Sequence, residues 1–167
     1  MTKVYLAGPA ALHPAAKALL DYLVEECAKQ GLEGVGPFTP GPDIQALPAP
    51  ERAAAIRQGN LERIRSCDMV VACISPFRGP AACPGTTWEM GYAEALGKPV
   101  VVWSEEPRPY IDRIPHDRDD DGRVFCRQHG MLVEDFGLTD SLVFTSGAVT
   151  VQPDFESALK AARRLAG

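Results

Sequence analysis

The sequence has no C-x-x-C pair, no apolar run long enough to span a membrane, no excess of positive charge and no internal repeat. Its five cysteines, Cys27, Cys67, Cys73, Cys83 and Cys126, are odd in number and scattered. Neither a disulfide framework nor a zinc site is suggested, and a reducing compartment, the cytoplasm, is expected. Every apolar run stops well short of the roughly 18 residues that a membrane helix needs. The opening Lys3-Val4-Tyr5-Leu6-Ala7 ends at Gly8-Pro9 and is too short for the apolar core of a signal peptide, so none is expected. A formal net charge of −5 gives no general attraction to phosphate backbones or anionic lipid. Nucleic-acid and membrane-surface roles are therefore set aside, and a small molecule is the expected partner. At 167 residues the chain has the size of one domain, expected to run 1–167.

What is present is an alternation. Short β-branched runs bounded by turn residues lie at Val4 to Ala7, Met69 to Ile74 and Val100 to Trp103, the pattern of strands buried on both faces. Between and after them, Ala15 to Lys29, Arg52 to Arg65, Thr87 to Leu96 and Phe155 to Leu165 carry helical periodicity. Strands alternating with helices of this length make βαβ units with right-handed crossovers, hence an α/β, doubly wound parallel sheet. Ligands then bind beyond the carboxyl ends of the strands. The segments Gly36 to Pro50 and Pro76 to Gly85, rich in proline, are expected as loops on that rim. Arg113 to Arg123, with Asp119-Asp120-Asp121 at its centre, lacks the alternating ligand spacing of a calcium loop; a solvated, mobile tip is expected there and no metal.

The chemistry is concentrated between Ser75 and Pro99. Glu89 falls in the first turns of a helix that follows a Gly/Pro-rich loop, where an α/β sheet presents reactive groups. Gly85 and Gly91 flank it and let backbone approach a ligand closely. A carboxylate so placed is a candidate nucleophile; the alternative is a solvated Glu on an exposed helix face.

Several motifs now stand in order. Val4-Tyr5-Leu6-Ala7-Gly8-Pro9, Asn60, Cys67-Asp68, Ser75-Pro76-Phe77-Arg78-Gly79 and Gly85-Thr86-Thr87-Trp88-Glu89-Met90-Gly91-Tyr92-Ala93 come first. Val133-Glu134-Asp135-Phe136-Gly137-Leu138 and Phe155-Glu156-Ser157-Ala158 follow. Together they resemble the nucleoside 2-deoxyribosyltransferases along nearly the whole chain. The resemblance implies a flavodoxin-like five-stranded parallel sheet and a homodimer or higher homo-oligomer in which a neighbouring subunit completes each site. It also implies an enzyme of nucleotide salvage, an N-glycosyl transferase working without a cofactor. Its partners would be a 2'-deoxynucleoside, or its 5'-monophosphate, and an acceptor nucleobase. Such enzymes cleave the N-glycosidic bond through a covalent deoxyribosyl-carboxylate and pass the sugar to another base or, more slowly, to water. An oxocarbenium-like transition state needs a nearby anion, and a carboxylate nucleophile splits one hard displacement into two easier ones.

Carried over residue by residue, the resemblance makes Glu89 the nucleophile and Tyr5 the hydroxyl that holds it, against an ordinary half-buried strand tyrosine. Ala7 and Gly8 would line the 2' side of the sugar, although small residues there also serve strand-to-loop packing. Asn60 stands where many relatives have an Asp that contacts and protonates the departing base, although Asn also occurs in the branch with the Ser-Pro-Phe-Arg-Gly motif. An amide can bind a base edge but is no acid, so Gln58 or a water would deliver the proton. Asp68 is expected to anchor a strand start, Phe77 to stack on the base and Arg78 to fix its loop; a buried hinge Phe and a surface Arg are the alternatives. At the sugar's 5' end, the usual Asp is replaced by Cys83 and the usual Asn, donated by the neighbouring subunit, by Ser141. Small or hydroxyl-bearing residues there are found in the related 2'-deoxynucleoside 5'-monophosphate N-hydrolases. That activity is the second reading, opposed by the absence of a basic cluster in Ala10 to Lys17. A catalytically idle nucleotide sensor is the third.

Overall fold

The computed structural model describes residues 1–146 and 150–167. In chain order the main elements are β1 (Thr2–Ala7), α1 (Ala16–Lys29), β2 (Leu32–Val35), the single turn α2 (Pro42–Gln45), α3 (Ala49–Ser66), β3 (Met69–Cys73), α4 (Pro84–Ala95) and β4 (Val100–Trp103). They continue with β5 (His116–Arg118), β6 (Val124–Cys126), the short α5 (Leu142–Thr145), β7 (Val151–Gln152) and α6 (Phe155–Leu165). Five strands pair in the order β2-β1-β3-β4-β7, all parallel. This is the flavodoxin-like order, in which the winding direction reverses between β1 and β3 and leaves a crevice at their carboxyl ends.

Strand alternation then sorts the side chains. Val4 and Leu6 of β1 enter the core cluster that also holds Ala158, Leu159 and Ala162 of α6, whereas Tyr5 and Ala7 enter the one with Ile64 of α3 and Met90 and Ala93 of α4. Tyr5 is thereby committed to the α3–α4 side of the sheet. Asp68 anchors the entry to β3: its carboxylate accepts the Lys3 N–H at 2.8 Å, and its own N–H donates to the Lys3 carbonyl at 2.9 Å.

Several segments differ from the sequence-based expectation. β2 is absent from it because Leu32-Glu33-Gly34-Val35 is not an apolar run, and β7 because two residues carry no periodicity. The proline-rich loop contains α2, and α3 starts three residues earlier than Arg52, with Pro48 before it and Pro50 in its first turn, where a missing N–H costs nothing. The acidic stretch is a correction. Its tip is exposed as expected, but the stretch around it is an ordered antiparallel β5–β6 hairpin and not a loop. One Asp119 oxygen accepts the N–H groups of Asp121 and Arg123 at 3.1 and 2.8 Å, and the other pairs with the Arg123 guanidinium at 2.8 Å. Its charge is spent closing a turn.

Arg113, just before the hairpin, is almost wholly buried and ties the rim together. Its guanidinium donates to the carbonyls of Pro80, Glu106, Arg108 and Thr139 and lies 3.5 Å from the buried Asp140 carboxylate. Asp140 in turn accepts the N–H groups of Ala82 and Ser141 at 2.9 and 2.8 Å. Burial pushes the Asp140 carboxyl up, and these two donors and Arg113 oppose that rise.

Candidate active site

Once Tyr5 faces the α3–α4 pair, helical spacing decides what meets it. Arg57 and Asn60 lie one turn apart on α3, and Gly85, Trp88 and Glu89 share a face of α4. With Ala53, Ile56 and Leu61 they line a cleft of about 490 Å³. Glu89 is one of its lining residues. The Tyr5 hydroxyl donates to Glu89 Oε1 at 2.8 Å, and the Asn60 Nδ2 donates to the same oxygen at 3.2 Å. Oε2 has no hydrogen-bond partner among the described residues, which contain no buried, unsatisfied side-chain oxygen; Oε2 is therefore open to the cleft. One oxygen is clamped twice and the other left free.

The orientation of the Asn60 amide is fixed from behind. Its Oδ1 accepts the Phe38 backbone N–H at 2.7 Å, so its NH₂ must face Glu89. The loop that delivers Phe38 is held by Arg63, whose Nη1 donates to the Gly36 and Pro37 carbonyls at 2.7 and 3.0 Å and whose guanidinium lies 5.6 Å from the Phe38 ring. Gly59 makes room for that ring: a Cβ at this position would sit 2.3 Å from Phe38 Cγ.

Two opposing effects act on the Glu89 carboxyl. Burial raises its pKa above the ordinary carboxylate value and is the larger, while the Tyr5 and Asn60 donors lower it. The net shift is upward. Burial, followed by the adjacent Glu89 charge, raises the Tyr5 phenol, which therefore keeps its proton and donates it.

The remaining sequence-derived candidates separate into those gathered here and those placed elsewhere. Gly85 lines the Glu89 cleft. Gln58 does not: two residues from Asn60, about 200° around the helix, it bonds Glu62 at 2.9 Å on the exposed side of α3. Ala7, Gly8 and Phe77 line a different, apolar cavity of about 330 Å³ at the carboxyl ends of β1 and β3, together with Leu6, Trp103 and Phe155. Arg78 covers Phe77, its guanidinium 4.6 Å from the ring, and adopts a φ of 55°. That left-handed conformation is uncommon for a side-chain-bearing residue. Cys83 is buried as the N-cap of α4 and makes no side-chain capping bond. Ser141 lines a third cleft with Pro84 and Thr87; its hydroxyl donates to Glu134 Oε1 at 3.2 Å, and Glu134 Oε2 accepts the Leu142 N–H at 2.8 Å. Within one chain, Ser141 does not line the Glu89 cleft.

Phe38, Arg57 and Trp88 are site residues that the sequence reading passed over. Arg57 and Trp88 carried a usable signal, one turn from Asn60 and one residue from Glu89. Phe38 carried none, because what it supplies is a backbone N–H. Among the described residues, no group of three or more His, Cys, Asp or Glu could hold a metal ion.

The fold and the cleft together define an α/β protein with a doubly wound sheet and a small-molecule-sized cleft lined by a donor-clamped, half-buried carboxylate. The chain belongs to the nucleoside 2-deoxyribosyltransferase family, whose model matches residues 4–143. Its structure is similar to that of the 2-desoxiribosyltransferase from Leishmania mexicana, with a TM-score of 0.78, 30% identity and 98% of each chain covered. It is also 35% identical over 114 residues to the uncharacterized protein C191.05c of Schizosaccharomyces pombe, a match covering 66% of this chain and 54% of that protein. The chain thus spans about half the length of that curated relative.

Proposed function

We propose that this chain cleaves the N-glycosidic bond of 2'-deoxynucleosides through a covalent deoxyribosyl-Glu89 intermediate and transfers the sugar to another nucleobase. The observation that carries this reading is the unequal treatment of the two Glu89 oxygens. Oε1, held by Tyr5 and Asn60, orients the group, and Oε2 is free to attack. In the first step Oε2 bonds to C1' as the C1'–N bond breaks and its electron pair leaves with the base. In the second, a ring nitrogen of the acceptor base attacks C1' as its N–H proton passes to solvent and the C1'–Oε2 bond breaks, returning the carboxylate; water in that role, losing a proton likewise, gives hydrolysis. Tyr5 and Asn60 are positioning residues in this scheme. A second copy of the chain would complete the site through the segment around Ser141, where Leu142 and Val143 are exposed, the latter at 80%.

The alternative, hydrolysis of 2'-deoxynucleoside 5'-monophosphates, is favoured by one feature: Cys83 is small and uncharged where a carboxylate would repel a phosphate. Glu134 weighs against it. Its carboxylate sits on the Ser141 hydroxyl, so a phosphate brought to Ser141 meets a negative charge at once. The nucleoside reading therefore stands first.

The test is Glu89→Ala combined with a 2-fluoro-2-deoxyarabinosyl nucleoside. Turnover should fall by several orders of magnitude in the variant, and the fluorinated sugar should add its mass to the Glu89 peptide of the wild-type protein. Near wild-type turnover in Glu89→Ala would remove the assignment.

A further inference from the structure

Breaking an N-glycosidic bond leaves an electron pair on the base nitrogen, and a site without an acid beside that nitrogen must hold the developing charge electrostatically. The groups around Glu89 supply no such acid. Asn60 has no acidic proton, and its oxygen is occupied by the Phe38 N–H. Gln58 lies off the cleft on Glu62. The Tyr5 hydroxyl donates to Glu89 itself, and both burial and that carboxylate make it a weaker acid. Among the described residues, Glu89 is the only carboxylate lining the cleft, and no His lines it.

What the cleft does contain is a cation. Arg57 lines it and has no ion pair or side-chain hydrogen bond among the described residues, in contrast to Arg63 and Arg113, whose guanidinium groups are occupied by backbone carbonyls. The Arg57 guanidinium carbon lies 5.0 Å from the ring centroid of the half-exposed Trp88 indole. Trp88 is itself stacked on Tyr92 at 5.4 Å and 11°, so the platform beneath the guanidinium is braced from α4. Ile56, Leu61 and Trp88 make the surrounding walls apolar. Such walls accept a flat heteroaromatic ring and penalise a desolvated phosphate dianion. A planar guanidinium can donate from its edge to a base carbonyl or ring nitrogen while its face rests on an aromatic ring.

We infer that Arg57 is a catalytic residue on the leaving-base side: its guanidinium donates hydrogen bonds to the departing nucleobase, which leaves as an anion and is protonated afterwards by water. The bond from Glu89 Oε2 to C1' forms as the C1'–N pair passes into the base ring. The resulting charge, spread over ring nitrogens and any carbonyl oxygen, faces Arg57. Water then supplies the proton and leaves hydroxide to the buffer. This rests on the reading of Glu89 as nucleophile, and it names the preferred substrates as deoxynucleosides whose free base has a comparatively acidic N–H.

The test compares wild type with Arg57→Gln and Arg57→Lys on deoxynucleosides spanning a range of base N–H acidity. Arg57→Gln should lose about a hundredfold or more in kcat/KM on the least acidic base, the scale of a lost transition-state donor, and under about tenfold on the most acidic. Arg57→Lys should recover part of the loss. Wild-type kcat/KM should rise through the Glu89 ionisation and then stay flat into the alkaline range, since no enzyme acid has to be protonated. An equal loss on every base, an alkaline limb, or a loss confined to 5'-monophosphates would overturn the inference; the last would make Arg57 a phosphate ligand. A binding arm separates this from the nucleophile assignment. Free nucleobase should quench tryptophan emission saturably, with the quench abolished in Trp88→Phe and its affinity at least about tenfold weaker in Arg57→Gln. Quenching in a protein that releases no base would sink the Glu89 chemistry and leave the Arg57 contact standing. No saturable quenching, or equal affinity in Arg57→Gln, would sink Arg57.

Discussion

Replacing Tyr5 by Phe removes one hydroxyl and almost no volume, which makes it a sharp probe of how the carboxylate is held. The lost contact is the 2.8 Å bond to Glu89 Oε1, leaving only the longer 3.2 Å bond from Asn60. A hydrogen bond to a charged group is worth about 1.5–3 kcal/mol. It stabilises only the ionised carboxylate, and at about 1.4 kcal/mol per pH unit its removal should raise the Glu89 pKa by about one to two units. The starting point is already above the ordinary carboxylate value because of burial. In the proposed mechanism Glu89 attacks only when ionised, so activity is expected above its pKa and is lost as pH falls through it. A higher pKa moves that acid limb of kcat/KM upward, and the variant's deficit is therefore larger at about pH 6 than at about pH 8. Looser orientation should add a pH-independent loss of about ten- to a thousandfold on the plateau. Stability should fall by no more than that same ~1.5–3 kcal/mol where Glu89 is ionised, and by less at acid pH, because Phe fills the space of the fully buried Tyr5. Base release followed by chromatography across pH, with a thermal melt beside it, reads all three. An unmoved limb and plateau together with a lowered Tm would show that Tyr5 packs the core and does not serve the carboxylate.

Gly59→Ala should gain up to about 1 kcal/mol from helix propensity, yet its methyl would meet Phe38 at 2.3 Å. The expected net is a loss of about 1–2 kcal/mol from overpacking, seen in a denaturant melt, with a fall in kcat as the Phe38 N–H moves off Asn60; a net gain in stability would mean that the loop yields freely. Glu89→Gln tests the cost of the buried charge. A carboxyl whose folded pKa is raised binds its proton more tightly when folded, so ionisation subtracts stability at neutral pH. The variant should melt higher at neutral pH, and the gain should fade as pH falls through the raised folded pKa and be gone by the ordinary value of 4.5; a lower Tm at neutral pH would contradict this sign. For the shared site, mixing inactive Glu89→Ala with an inactive bulky variant at Ser141 should restore some activity, since one site of a mixed dimer then holds both native groups. Failure despite proven subunit exchange would remove Ser141 from a neighbour's site.

What the sequence made legible follows from how each feature is encoded. β1, β3 and β4 are buried on both faces and spell themselves as apolar runs, whereas β7, two residues long, has no pattern of its own and exists because β4 offers it an edge. The pairing of Tyr5 with Glu89 could be anticipated because both are side chains inside ordered motifs. The lock on Asn60 could not, because it depends on a backbone N–H from a proline-rich loop and on the missing Cβ of Gly59. That lock changes what position 60 means. Read in sequence, Asn60 is an Asp that has lost its acidity and kept its place against the base. In the fold, its oxygen is taken from one side and its NH₂ aimed at Glu89 from the other. An Asp here, if ionised, would accept the same Phe38 N–H and turn its second oxygen on Glu89 with no proton to donate, putting two negative charges in hydrogen-bonding range. The amide is the residue that suits this geometry. In the proposed reaction the amide at position 60 gives the carboxylate a second donor and the departing base no proton, which leaves the charge on the base to be met from elsewhere in the cleft.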